Sequence, residues 1–208
     1  MTQFSLFGAA VAEPSLDDLD GVLLGGGHWV RSAMRGALPA GNAEPGAPAS
    51  TGARLSVVVS DRWRADALAA EFGLRGVGTV DTIVPAEGGF GVRTAFATAL
   101  IPGAQRWTRG ANEGPPPDLV LTAGGLRLWT IAGGRPDDAG YLLATDEPDD
   151  AVHTVGGAQL SRLGLAAVSV SYRGGPGWRV TSVKRIRRLV ELVGPPPEGA
   201  AADWPSTR

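Results

Sequence analysis

From Ser15 to Gly25 the chain opens with a hydroxyl able to cap a helix. It sets Asp17 and Asp18 in the first turn and repeats Leu16, Leu19 and Leu23 at helical spacing, which predicts a short helix. The triple glycine Gly25 to Gly27 ends it. "HWVRS" follows as a strand, and Gly36 to Gly52 is a Pro/Gly/Ala stretch with little charge or bulk, expected to be a mobile loop over 36–52. "ARLSVVVS" alternates over two faces and is the clearest strand. Ser60 stands ready to cap a helix over "DRWRADALAAEFGLRG", with Trp63, Leu68 and Phe72 near one side. "GTVDTIVP" and "GFGVRTAFA", separated by "AEGG", predict a hairpin, and Thr98 to Arg109 a helix that Pro102 interrupts or kinks.

The order then recurs. After a stiff polar connector at 112–118, "GLRLWTIAGG" predicts a helix ending in glycines, "GYLLATD" a strand, and "PDDAVHTVGGAQLSRLG" a helix with acids at its start. "AAVSVSY" and "WRVTS" flank "RGGPG" as a hairpin, and "SVKRIRRLVELVG" is a capped, basic, amphipathic helix. Each half reads helix, strands, helix, hairpin, helix, a duplicated αββαββα unit of the α+β class. The expected domains are a flexible peptide at 1–14, a first repeat at 15–111, the linker, a second repeat at 119–194 and a disordered Pro/Gly/Ala-rich tail at 195–208.

Composition narrows the function. The 208 residues are 43% hydrophobic, enough for a real core. The net charge of -2 excludes overall attraction to nucleic acid, so any such contact needs a local patch. Arginine supplies 18 of the 19 basic residues, a bias of GC-rich coding that weakens conclusions drawn from arginine alone. Without cysteine there are no disulfides, no thiol catalysis and no cysteine-bound metal. No apolar run approaches the ~18 residues of a membrane span, so a cytoplasmic protein with no membrane partner, taken as a monomer, is expected. His28 and His153 lie far apart without metal-ligand spacing. "DEPDD", Asp146 to Asp150, fits helix-capping acids on a solvated turn.

The passage "DLDGVLLGGGHWV", Asp18 to Val30, resembles the LAGLIDADG homing-endonuclease family, and "LWTIAGGRPDDAGYLL" with "GWRVTSVKRIRRLVELVG" gives a second, weaker echo. The resemblance implies a pseudo-dimer whose halves pack through their motif helices, under a saddle-shaped antiparallel sheet that lies on double-stranded DNA in family members. Gly21 and Gly25, four apart, suit two helix backbones in close approach. Each motif of the nucleases ends in an acid that holds divalent metal, but Gly26 occupies that place here, so no cleavage by that mechanism is expected. The second half offers Asp137 and Asp138 as catalytic candidates. A rival endonuclease would pair one of them with Asp18 or Asp20 and require Mg2+; otherwise no cofactor and no metal site is expected. A second rival is a protein-interaction module without DNA contact.

If Leu55, Val57, Val59, Val92 and Phe96 point into the core, alternation turns Arg54, Ser56, Val58 and Arg93 to the saddle face. The same count puts Ser169, Ser171, Arg173, Arg179 and Thr181 there in the second half, a face of arginines and hydroxyls without an acid that suits phosphate and groove contacts. Finally, "QFSLF" at the start resembles the bacterial sliding-clamp-binding peptide. That resemblance implies Gln3 as the polar anchor, Phe4 in place of the usual leucine, Ser5 as spacer, and Leu6 and Phe7 as pocket fillers. The expectation is a non-catalytic accessory protein of DNA replication or repair, recruited to the clamp.

Overall fold

The computed structural model describes residues 13–32, 52–79, 82–109, 112–146, 150–171 and 175–207. The predicted first helix begins as a 3-10 turn, Leu16–Leu19, that runs into α1, Asp20–Leu24. A reciprocal cap fixes its start: Ser15 Oγ accepts from the Asp17 N–H and Asp18 accepts from the Ser15 N–H. The first half continues as β1 (His28–Arg31), β2 (Ala53–Val59), α2 (Arg62–Leu74), β3 (Ile83–Ala86), β4 (Gly89–Arg93) and α3 (Ile101–Arg106). A two-strand ribbon, β5 (Thr108–Arg109) with β6 (Asn112–Glu113), leads to the second half. That half is α4 (Ala123–Gly133), β7 (Gly134–Asp137), β8 (Gly140–Ala144), α5 (Ala151–Arg162), β9 (Val168–Val170), β10 (Gly177–Val180) and α6 (Val183–Val193).

The expected duplication is present. Both halves form a four-stranded antiparallel sheet in the same order, β1-β2-β4-β3 and β7-β8-β10-β9. Some elements differ from expectation. Pro102 opens α3, where its missing N–H costs nothing, and the helix stops at Arg106 because the chain turns into the ribbon. Asp61, not Ser60, is the cap position of α2; Ser60 Oγ donates to the Asp61 carboxylate instead. "GRPD" forms β7 despite its proline, which is tolerated because β7 is an edge strand.

α1 and α4 pack side by side between the sheets. Gly21 lies directly on Gly125, so that a β-carbon at 21 would overlap the Gly125 carbonyl, while Gly25 approaches Trp129 and Ala132. One continuous core runs through both halves, including Leu24, Leu55, Phe72 and Trp107 of the first and Leu126, Trp129, Leu143 and Leu189 of the second.

Buried charges lock the halves together. Asp18 accepts from Arg75 at 2.7 Å and from Thr122 Oγ1, the cap of α4, at 2.6 Å. Gly124 leaves room for this carboxylate: a β-carbon there would stand 2.5 Å from Asp18 Oδ2. Glu71 in turn accepts from Arg75 and from Arg127 of α4, each at 2.7 Å. Arg64 of α2 donates to Ile131 O at 2.8 Å and Gly134 O at 2.7 Å, satisfying carbonyls that the end of α4 leaves open.

The tail beyond Gly194, expected to be disordered, is docked over its described residues. Trp204 is buried and donates to Gly194 O at 2.9 Å. The Asp203 carboxylate accepts from Trp63 of α2, and its carbonyl from the Tyr141 hydroxyl of β8, both at 3.0 Å. The tail thus straps the two halves, because one tryptophan and a carboxylate supply specific contacts that the surrounding composition hides. Burial pushes the Tyr141 hydroxyl above its ordinary range.

Candidate nucleic-acid interface

Cross-strand register fixes what each sheet shows on the face away from the helices. In β2, Leu55, Val57 and Val59 are buried, while Arg54, Ser56 and Val58 point the other way, as the alternation predicts. Ser56 stands opposite Arg93 of β4 on one side and His28 of β1 on the other, so all three share the outer face. Phe96 does not enter the core. It lies past the end of β4, where alternation no longer binds it, and its ring sits 4.6 Å beneath the Arg54 guanidinium.

The second sheet departs further from expectation. Ser169 pairs with Trp178 and reaches His153 Nε2 at 2.9 Å, so it faces α5 and not the outside. His153 is itself buried, stacked on Trp178 and bonded to Thr145 Oγ1, a structural histidine. Arg179 pairs with Val168 and with Leu142, whose other neighbour is Arg135 of β7; Arg135, Arg179 and Val168 therefore share the outer face. Thr181 follows the end of β10 and is exposed. Ser171 follows β9 outside the ladder, and Arg173 lies outside the described residues.

The outer face also holds an acid, contrary to expectation. Asp137 accepts from Arg179 at 2.8 Å, and the Ala139 N–H together with Arg179 keeps its carboxyl below the usual carboxylate range. Asp137 is the one acidic residue among the strands of the two four-stranded sheets. His28 and Arg135 are outer-face residues that sequence reasoning missed. Arg135 would have been found had "GRPD" been read as a strand, because alternation puts it with Asp137.

No family model matches the chain, and no curated protein matches it. Solved structures similar to it include the following two. The homing endonuclease I-WcaI bound to its DNA recognition sequence matches with a TM-score of 0.56 at 14% identity, over 85% of this chain and 79% of that one. The N-terminal LAGLIDADG domain of WhiA matches with a TM-score of 0.51 at 13% identity, over 91% of this chain and 87% of that one. The chain has the LAGLIDADG fold.

In a LAGLIDADG fold the ends of the paired helices are where an acid and its metal are implied, and the residues here do not fit a metal. Gly26 takes a positive φ of 95° and abuts Asp146 of the second half, which fills the space a side chain would need. The adjoining cavity, about 190 Å³, is lined by Gly26, His28, Glu113, Asp146 and Asp150. Two of its acids are committed: Glu113 accepts the Trp29 N–H at 3.0 Å and Asp150 caps α5 through the His153 N–H. Burial raises the Glu113 carboxyl, against the charged form a metal needs. Among the described residues no group of three or more His, Asp or Glu is placed to hold a metal ion.

The acids named for the nuclease rival are elsewhere. Asp18 belongs to the network with Arg75. Asp20, 3% exposed, accepts from Arg106 at 2.5 Å and Trp107 Nε1 at 2.7 Å, and burial raises its carboxyl. Asp137 is three residues along β7, about 10 Å from the end of α4, and the exposed Asp138 follows in the turn. Among the described residues no helix is long and apolar enough to cross a membrane.

Proposed function

We propose that this chain is a non-catalytic, DNA-associated protein that lays the outer faces of its two sheets on duplex DNA. The observation that carries this reading is the composition of that face: Arg54, Arg93, Arg135 and Arg179 in the strands, against the single acid Asp137. The endonuclease that shares the fold is bound to its DNA recognition sequence. Arginines at these positions meet phosphates as charged forks. Ser56 offers a hydroxyl, with the exposed Thr181 beyond the end of β10, and the exposed Val58 and Val168 offer apolar contact to thymine methyl groups. Asp137 holds Arg179 until phosphate replaces it.

Anisotropy titration of duplex DNA over a range of salt tests this. Each phosphate contact contributes about 1 to the slope of log affinity against log salt. Replacing Arg54, Arg93 and Arg135 together with alanine is expected to lower that slope by about 2 to 3, while Asp137→Asn raises affinity a few-fold by freeing Arg179. A wild-type protein that binds no duplex at low salt would sink the reading. It would select instead a protein-interaction module, the second reading, which the exposed Val58 and Val168 on the same face favour.

Recruitment to the bacterial sliding clamp, and with it a place in replication or repair, belongs to the same proposal. Gln3 to Phe7 lie outside the described residues; the support is the order and type of residues in "QFSLF". Burying Leu6 and Phe7 contributes about 1.5 to 3 kcal/mol each, part of it offset by ordering the peptide, so an affinity on the order of micromolar is expected. Calorimetric titration of the clamp with the intact chain and with the combined Gln3→Ala, Leu6→Ala and Phe7→Ala variant is expected to show binding only for the former. Equal binding by both removes the clamp from the account.

A further inference from the structure

α6 carries charge in a place where it does not serve the helix. The first two of its three turns hold Lys184, Arg185, Arg187 and Arg188, and its first turn has no acid. The positive end of the helix dipole repels such cations, and Lys184 with Arg187 and Arg188 are like charges at i,i+3 and i,i+4; both effects weaken a helix by a few tenths of a kcal/mol each. The 3-10 turn that starts the first half does the reverse, with Asp17 and Asp18 at its head. Lys184 is also the one lysine of a chain otherwise written in arginine.

Packing separates this charge from the outer face of the sheets. Leu189 and Val193 are buried, Ile186 and Leu192 pack on the core, and the helix rests on α4, within the helical layer. Lys184, Arg187, Arg188 and Glu191 form the exposed stripe at helical spacing. Its one acid, Glu191, stands 3.6 Å from Arg188 with both side chains about half exposed, a pair of little strength. Three cations thus lie within five residues, about 6 Å of helix.

We propose that the exposed face of α6 is a second surface for the phosphates of duplex DNA, separate from the sheets, so that one protein holds two duplex segments. The proposal rests on the reading of the sheets as a DNA-binding face only for the second half of that statement. Charge complementarity points to the phosphate backbone: a strand carries a phosphate every 3.4 Å of axis, so a stripe of this length meets two of them in succession.

Native mass spectrometry at low ionic strength, with a duplex too short to reach both faces, decides the matter. The wild type is expected to form complexes of one protein with two duplexes. The Lys184→Ala, Arg187→Ala, Arg188→Ala variant and the Arg54→Ala, Arg93→Ala, Arg135→Ala variant should each stop at one duplex, with the two-duplex species reduced at least about tenfold, a difference of about 1.4 kcal/mol. Combining all six should abolish binding, and arginine-to-lysine exchanges at 187 and 188 should restore the second duplex. The α6 variant should melt no lower than wild type, since its substitutions remove cations from the positive end of the dipole. If wild type and the α6 variant both bind one duplex equally, the inference is overturned and the sheet face stands. If the α6 variant binds none while the sheet variant still binds one, the α6 surface stands and the sheet reading falls. If the α6 substitutions abolish binding of polyglutamate but leave DNA binding unchanged, the surface serves an acidic protein and the inference is overturned.

Discussion

Gly21→Ala is expected to destabilise the protein by more than about 3 kcal/mol, lowering Tm by on the order of 10 °C for a chain of this size. The sign is what makes the test sharp. Within a helix, alanine is intrinsically favoured over glycine by about 1 kcal/mol, so an isolated α1 would gain from the change. The loss comes from the neighbour: a β-carbon at 21 overlaps the backbone carbonyl of Gly125, and backbone, unlike the end of a side chain, cannot swing aside. The two motif helices must separate, and the core they share opens with them. Thermal melts of wild type and Gly21→Ala, followed by circular dichroism, give the answer. A variant that melts at or above the wild-type temperature would show that the halves are not joined at this crossing.

Asp18→Ala should cost about 3 kcal/mol, the second largest effect. The carboxylate is almost wholly enclosed, as is the Arg75 guanidinium it meets, so solvent does not screen the pair. Removing it leaves Glu71 as the one carboxylate paired with Arg75 and takes the acceptor from the cap hydroxyl of Thr122 as well. Arg75→Met leaves the opposite charge behind. The double variant, lacking both, should be less destabilised than the sum of the single changes by about 0.5 to 3 kcal/mol. Urea denaturation of the four proteins measures this, and strict additivity would mean that the network carries no coupling between the halves.

The two four-stranded sheets and the duplicated order were legible because their signals are local. Alternation in "ARLSVVVS" named the buried face of β2 correctly, and Gly21 announced a close helix crossing whose partner, Gly125, only the fold supplies. The outer face was legible in the first half for the same reason: the facing of Arg54, Ser56 and Arg93 follows from one strand and its neighbour. In the second half the hairpin joining β9 to β10 sets the register, and nothing in "RGGPG" states how many residues it spends. Counting across that hairpin therefore puts Ser169 on the wrong face, and nothing in the sequence sets Asp137 beside Arg179. Phe96 shows the same limit at a strand end. The carboxylate of Asp203 and the ring of Trp204 carried no signal, since a docking tail is defined by what it touches.

The strap from Gly194 to Trp204 has a consequence for how the molecule is made. Trp63 waits for a partner 140 residues further along the chain. On the ribosome the first half can close its own sheet early, yet Trp63 stays wet until the segment around Asp203 has left the exit tunnel. Completion of the fold is thereby tied to the synthesis of Asp203, and nascent chains stalled before it should carry an unfinished seam that proteases can find.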